Sequence, residues 1–189
     1  MQTLGLADST PRSEGRLKSL FWPSIQTAVD VDYLGAQGYW LCTAFAILAL
    51  LSGTLTGHPI AGVFSFLLYY LSGVGIRERS RFAAVIAFVF SLLELLVAPG
   101  ILKIILSAVL LSNLRATWLA SRWTGDSEAN ALPPRLAETF TDRFVDRLPT
   151  WLWPKLRAAY YVFSVCFTAL EAIGLLMVLV RGGWPVIPH

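Results

Sequence analysis

Apolar residues along this chain collect into five runs, at about 38–57, 60–76, 82–98, 101–121 and 158–180, and most charged residues fall between them. The first run, Gly38 to Gly57, contains no charged residue, and about 20 helical residues cross a hydrocarbon core of about 30 Å. Runs of this length exceed what the core of a compact soluble domain needs. The pattern predicts an all-α integral membrane protein with about five transmembrane helices.

The connections predict how the helices are threaded. His58 and Pro59 alone separate the first two runs, and Pro99 and Gly100 alone separate the third and fourth. Each pair is therefore an antiparallel hairpin, with both tight turns on one face of the membrane. The opposite face receives residues 1–37, the turn from Arg77 to Arg81, and residues 122–157. Of the fifteen Lys and Arg residues, twelve lie there: Arg12, Arg16, Lys18, Arg77, Arg79, Arg81, Arg122, Arg135, Arg143, Arg147, Lys155 and Arg157. Basic residues accumulate on the cytoplasmic side of membrane proteins, so the N-terminus is expected in the cytoplasm and the C-terminus outside. The expected division is a cytoplasmic segment over 1–37, a four-helix transmembrane region of two hairpins over 38–121, a cytoplasmic connection over 122–157, and a fifth helix with an outer tail over 158–189. A tilted or re-entrant path is the alternative for the short second run.

The cytoplasmic connection carries a different period. After Pro133 and Pro134, which suit a helix start, Leu136, Phe140, Phe144 and Leu148 recur every four residues, with polar residues on the remaining faces. This predicts an amphipathic interfacial helix between the fourth and fifth spans, lying on lipid or packed on the bundle. Pro149 ends it, and Trp151 and Trp153 are expected as interface anchors.

Composition agrees with a membrane protein: 56% of residues are hydrophobic and 14% charged, against about 25% charged in soluble domains. The net charge of +3 is dispersed over loops beside apolar runs, so topology accounts for it and a nucleic-acid partner is not expected. Cys42 and Cys166 both lie inside apolar runs, which predicts small packing residues and not a disulfide or metal framework. No secretory leader is legible in the first 37 residues, and the first run is expected to act as the first membrane signal.

Ionisable residues inside apolar runs are the informative ones, because burying a charge at a helix centre costs about 2.5–3.5 kcal/mol on insertion scales. Glu94 and Glu171 stand out. Tyr161, Ser164, Thr168 and Glu171 share one face of the fifth helix, and Ala84, Ala87, Ser91 and Glu94 share one face of the third. Both helices run outward from the cytoplasm, so the two carboxylates are expected to meet, either as neutral packing groups or as holders of a shared proton or cation. Lys103 is placed to pair with Glu94 across the Pro99 turn, or to snorkel outward. Arg115 is expected to bond a cytoplasmic loop or a lipid phosphate. Gly53 and Gly57 form a GxxxG spacing suited to close helix packing.

No cofactor is implied, since His58 and His189 are both outside the spans and no nucleotide, zinc-hydrolase or serine-hydrolase motif occurs. A self-contained enzyme is not expected, although a lipid-modifying activity near Arg115 is an alternative. The leading expectation is a structural or accessory subunit of a membrane complex, in a bacterial inner membrane, with the bilayer, other subunits or further copies of itself, and anionic lipid at the cytoplasmic face as partners. A proton- or cation-coupled carrier or channel using Glu94 and Glu171 is the other.

Overall fold

The computed structural model describes residues 21–22, 25, 28–121 and 152–180. These form five helices, α1 (Ala28–Leu55), α2 (Pro59–Arg77), α3 (Arg81–Val97), α4 (Ile101–Ala120) and α5 (Leu152–Val180), with no strand among the described residues. α1, α2, α4 and α5 are each long and apolar enough to cross a membrane. α3 has 17 residues, at the lower end of the spanning range. Residues 133–149, which carry the expected amphipathic helix, and Trp151 lie outside the described residues.

Two helices begin earlier than the uncharged runs suggest. α1 starts at Ala28 and not near Gly38, because Val31 and Leu34 are already buried in the core and Asp32 is bound to Arg79. α5 starts at Leu152 and not near residue 158, because Trp153 is buried and the helix runs on through Lys155 and Arg157. The absence of charge marks the stretch that lipid can cover, whereas packing decides where the helix begins.

The turns are set by local backbone chemistry. At the end of α1, the His58 amide donates to the Gly53 carbonyl (2.8 Å) and the Gly57 amide to that of Thr54 (3.3 Å). This is a Schellman cap with Gly57 at its left-handed position, φ 78°. Pro59 then opens α2 where its missing N–H has no bond to lose. The end of α2 repeats the motif: Ser80 donates to Gly75 (2.8 Å) and Arg79 to Ile76 (3.0 Å). Here Arg79 takes the left-handed position, φ 55°, a conformation costing an L-residue roughly 1–2 kcal/mol. Its guanidinium reaches Asp32 at the start of α1, with Nη2 2.7 Å from Oδ1. The Ser80 hydroxyl next accepts from the Ala83 amide and caps α3.

α1 packs on α2 and α4, α2 on α3, and α3 on α4, so the first four helices close a ring; α5 docks on its outside against α2 and α3. Glycines bring the backbones together. A Cβ at Gly53 would lie 2.6 Å from the Gly62 Cα, and one at Gly73 would lie 2.9 Å from the Cys42 Cβ. The GxxxG pair therefore splits: Gly53 sits at the α1–α2 crossing within one chain, whereas Gly57 forms the turn beyond the helix end and meets nothing. Trp153 is enclosed by the protein and not exposed on its surface. It is buried where any Cβ on Gly75 would collide with its ring, and it packs on Tyr160 at 5.5 Å between ring centroids. Its six-membered edge occupies the space that glycine leaves.

Polarity is inverted relative to a water-soluble bundle. Ser72, Ser91, Ser107, Ser112, Asn113, Thr117, Ser164 and Thr168 are buried, while Ile47, Leu51, Leu96, Val162, Leu170 and Leu176 are exposed. Such a surface fits an apolar solvent. Gly53→Val should destabilise the fold by about 1–3 kcal/mol through overpacking, measured by equilibrium unfolding in mixed detergent micelles. Gly174→Ala on α5, where a Cβ meets nothing, should leave stability unchanged or raise it.

Candidate functional site

Two of the singled-out residues, Glu94 and Lys103, meet at the end of the ring formed by the Pro59 and Pro99 turns. The Tyr69 hydroxyl of α2 donates to Glu94 Oε2 of α3 at 3.0 Å. Helical side chains tilt toward the N-terminus of their own helix, and α2 starts at this end, so Tyr69 reaches toward Glu94 from deeper in the bundle. Lys103 Nζ of α4 donates to the Glu94 backbone carbonyl at 3.1 Å. The expected contact across the Pro99 turn therefore forms to the main chain of Glu94 and not as a hydrogen bond to its carboxylate. That carbonyl, in the last turn of α3, also accepts from the Ala98 amide at 2.9 Å, so Lys103 takes its second lone pair. Glu171 of α5 lies within electrostatic reach of the Glu94 carboxylate, as does the Lys103 ammonium.

Further in, the small polar residues tie helices in pairs. Ser91 of α3 and Ser107 of α4 share a hydrogen bond of 3.1 Å, and Ser91 also donates to the Phe88 carbonyl. Ser72 of α2 and Tyr160 of α5 are 2.7 Å apart and fully enclosed. Ser164 donates to the Tyr161 carbonyl of its own helix at 3.2 Å. Thr168 is buried with its hydroxyl oxygen unpartnered. Aromatic rings fill the space between these bonds: Phe90 contacts Tyr69 (5.3 Å) and Phe167 (5.5 Å).

Arg115 stands apart from this cluster. It lies near the opposite end of α4, with its guanidinium carbon 4.6 Å from the centre of the Trp22 ring, a cation–π contact. The neighbouring Asn113 is buried, donates to the Val109 carbonyl at 3.0 Å, and lies where a Cβ on Gly38 would come within 2.7 Å of its Oδ1. Both cysteines are free thiols, Cys42 buried and Cys166 exposed. Among the described residues, no three His, Cys, Asp or Glu side chains converge in a way that could hold a metal ion.

Tyr69, which bonds Glu94, and the buried Ser72–Tyr160 pair are polar contacts that sequence reasoning missed. A signal was present, because a tyrosine inside an apolar run needs a partner for its hydroxyl. Which partner depends on helix neighbours that the period of one helix does not disclose.

No protein-family model, curated protein or solved structure matches this chain. The chemistry of the cluster therefore stands on its own contacts: the Glu94 carboxylate with the Tyr69 phenol, and the Lys103 ammonium on the Glu94 main chain, with Glu171 in electrostatic range. A double-mutant cycle of Ser72→Ala and Tyr160→Phe should give a coupling of about 0.6–1.7 kcal/mol, read from unfolding in detergent. Additive losses would mean that the 2.7 Å contact contributes nothing to α5 docking.

Proposed function

We propose that this chain is a five-span protein of a bacterial inner membrane, with its N-terminus in the cytoplasm and its C-terminus outside, that serves as a structural or accessory subunit of a membrane complex. The observation that carries the subunit reading is the end of α5. Glu94 is three residues from the end of α3, whereas its neighbour Glu171 is nine residues from the end of α5. α5 therefore runs six residues further past its carboxylate than α3 does past Glu94. Within those last six residues Leu176, Met177, Leu179 and Val180 are all exposed. They supply an apolar surface that the chain's own ring leaves uncovered, and another subunit or a second copy can pack on it. The basic turn Arg77 to Arg81 and the basic connection 122–157 suit anionic lipid at the cytoplasmic face.

The second reading, a proton- or cation-coupled carrier or channel, is favoured by the Tyr69, Glu94, Lys103 and Glu171 cluster. Intramembrane ionisable groups commonly mark ion pathways.

Purification in mild detergent tests the subunit reading: a stoichiometric companion, or a defined oligomer, should co-elute, and Leu176→Gln with Met177→Gln should release it. A chain that runs alone as a monomer would sink the idea. Thiol labelling of a Ser80→Cys variant should occur from the cytoplasmic side, and labelling from outside would reverse the orientation. For the carrier reading, Glu94→Gln and Glu171→Gln should each abolish proton or cation flux in reconstituted vesicles, and unchanged flux would remove its motivated residues.

A further inference from the structure

A recess of about 410 Å³ opens on the side of the bundle where the α1–α2 turn meets α5, within the range of about 300–1,000 Å³ that small-molecule sites occupy. It is lined by the turn from Gly57 to Ala61, by Phe64 of α2 and by Phe167 of α5. Two kinds of surface meet in it. One is aromatic: the Phe64 and Phe167 rings lie 5.7 Å apart, and Phe163 stacks on Phe167 from one turn back.

The other is the start of α2, where the backbone is short of acceptors. The first amides of a helix have no carbonyl one turn back to bond. Pro59 has no N–H, and the Gly62 amide donates to the His58 carbonyl at 3.1 Å. The amides of Ile60 and Ala61 find no acceptor among the described residues, and the His58 side chain at the N-cap position makes no bond to them. Both residues line the recess.

Location and charge select the occupant. The turn stands at an end of the membrane-spanning bundle, with Leu55 and Ile60 exposed beside it, at the level where hydrocarbon gives way to headgroups. Two unbonded amides at the positive end of a helix dipole complement an anionic oxygen. A peptide segment would bring amide donors of its own that need partners. A phospholipid brings phosphate oxygens that only accept, joined to acyl chains that aromatic rings can cover.

We propose that this recess holds one phospholipid. Its phosphate oxygens accept from the Ile60 and Ala61 amides and from the ring N–H of His58, which either tautomer supplies. The first part of an acyl chain lies on Phe64 and Phe167, so the lipid bridges α2 and α5. The site goes beyond both functional readings and holds whichever face of the membrane this end of the bundle occupies.

Native mass spectrometry of the full chain in mild detergent counts the bound lipid. With phosphatidylethanolamine added, the wild-type protein should retain one molecule. Diacylglycerol with the same chains lacks the phosphate and should bind at least about tenfold more weakly, the loss expected for charge-assisted hydrogen bonds. His58→Asp puts a carboxylate at the N-cap, where it accepts from the two amides itself. That variant should lose retention to the same degree without a lower thermal-unfolding midpoint, a pair of effects that misfolding cannot produce. Ala61→Trp, which fills the recess from an exposed position, should lose it as well, whereas Gly174→Trp, at a position on α5 where a Cβ meets nothing, should retain the lipid. Equal retention of diacylglycerol, undiminished retention in His58→Asp, or loss in Gly174→Trp would overturn the proposal. A dimer whose formation displaces the lipid would give the recess to a second copy and equally overturn it.

Discussion

Backbone contact at a few glycines is the constraint on which the rest of this structure depends. In an apolar solvent, helices gain nothing from hiding leucine, so association rests on close packing and on hydrogen bonds between helices. Gly53 against Gly62 and Gly73 against Cys42 draw α1 onto α2, while Gly38 leaves room for Asn113 of α4. Those contacts close the ring. Gly75 then leaves the hollow that Trp153 fills, and through it α5 acquires its position and rotation.

Once the ring is closed, polar side chains do the work that apolar ones do in water. Ser91 with Ser107 and Ser72 with Tyr160 are bonds between helices, each formed inside a seam of alanines and aromatic rings. Their positions form a gradient along the bundle. Neutral hydroxyl pairs occupy the middle, and the ionisable groups gather toward the Pro59 and Pro99 turns. The opposite end carries the exposed Asp32–Arg79 pair, where water and lipid headgroups screen an ion pair and leave it worth little by itself. Its location suggests a different role, because it ties the start of α1 to the one non-glycine residue in a left-handed turn.

α5 is the element in which stability and the functional proposals meet. It is the longest helix, yet Trp153, Tyr160, Ser164 and Thr168 are its only buried residues. Its first half is held by an aromatic plug and a hydroxyl pair, and Phe163 and Phe167 continue the contact against Phe64 and Phe90. The exposed apolar residues near its end, Leu176, Met177, Leu179 and Val180, are those on which the proposed subunit reading rests.

Much of this arrangement was legible in the amino-acid sequence. Helical content, the positions of the tight turns and the inward faces of α3 and α5 follow from local chemistry: Pro59 and Gly57 dictate a turn, and the spacings of Ala84, Ala87, Ser91 and of Ser164, Thr168 dictate which faces avoid lipid. Glu94, Lys103 and Glu171 could be recognised because an ionisable residue in an apolar run is conspicuous. The extra turns of α1 and α5 were not legible, since Asp32 and Lys155 read as ends of a span, while Val31, Leu34 and Trp153 hold the helices together beyond it. Nor did the chain disclose that Gly57 is a cap and not a packing residue, that Trp153 is enclosed, or that Lys103 takes the Glu94 carbonyl. Sequence alone determined the helices, their turns and the chemical types on their inner faces, because those depend on neighbours within one turn of the backbone. The tertiary structure alone decided partners, such as Tyr69 for Glu94, Tyr160 for Ser72 and Gly75 for Trp153, because the rotation and depth of one helix against another are set by contacts between residues far apart in the chain.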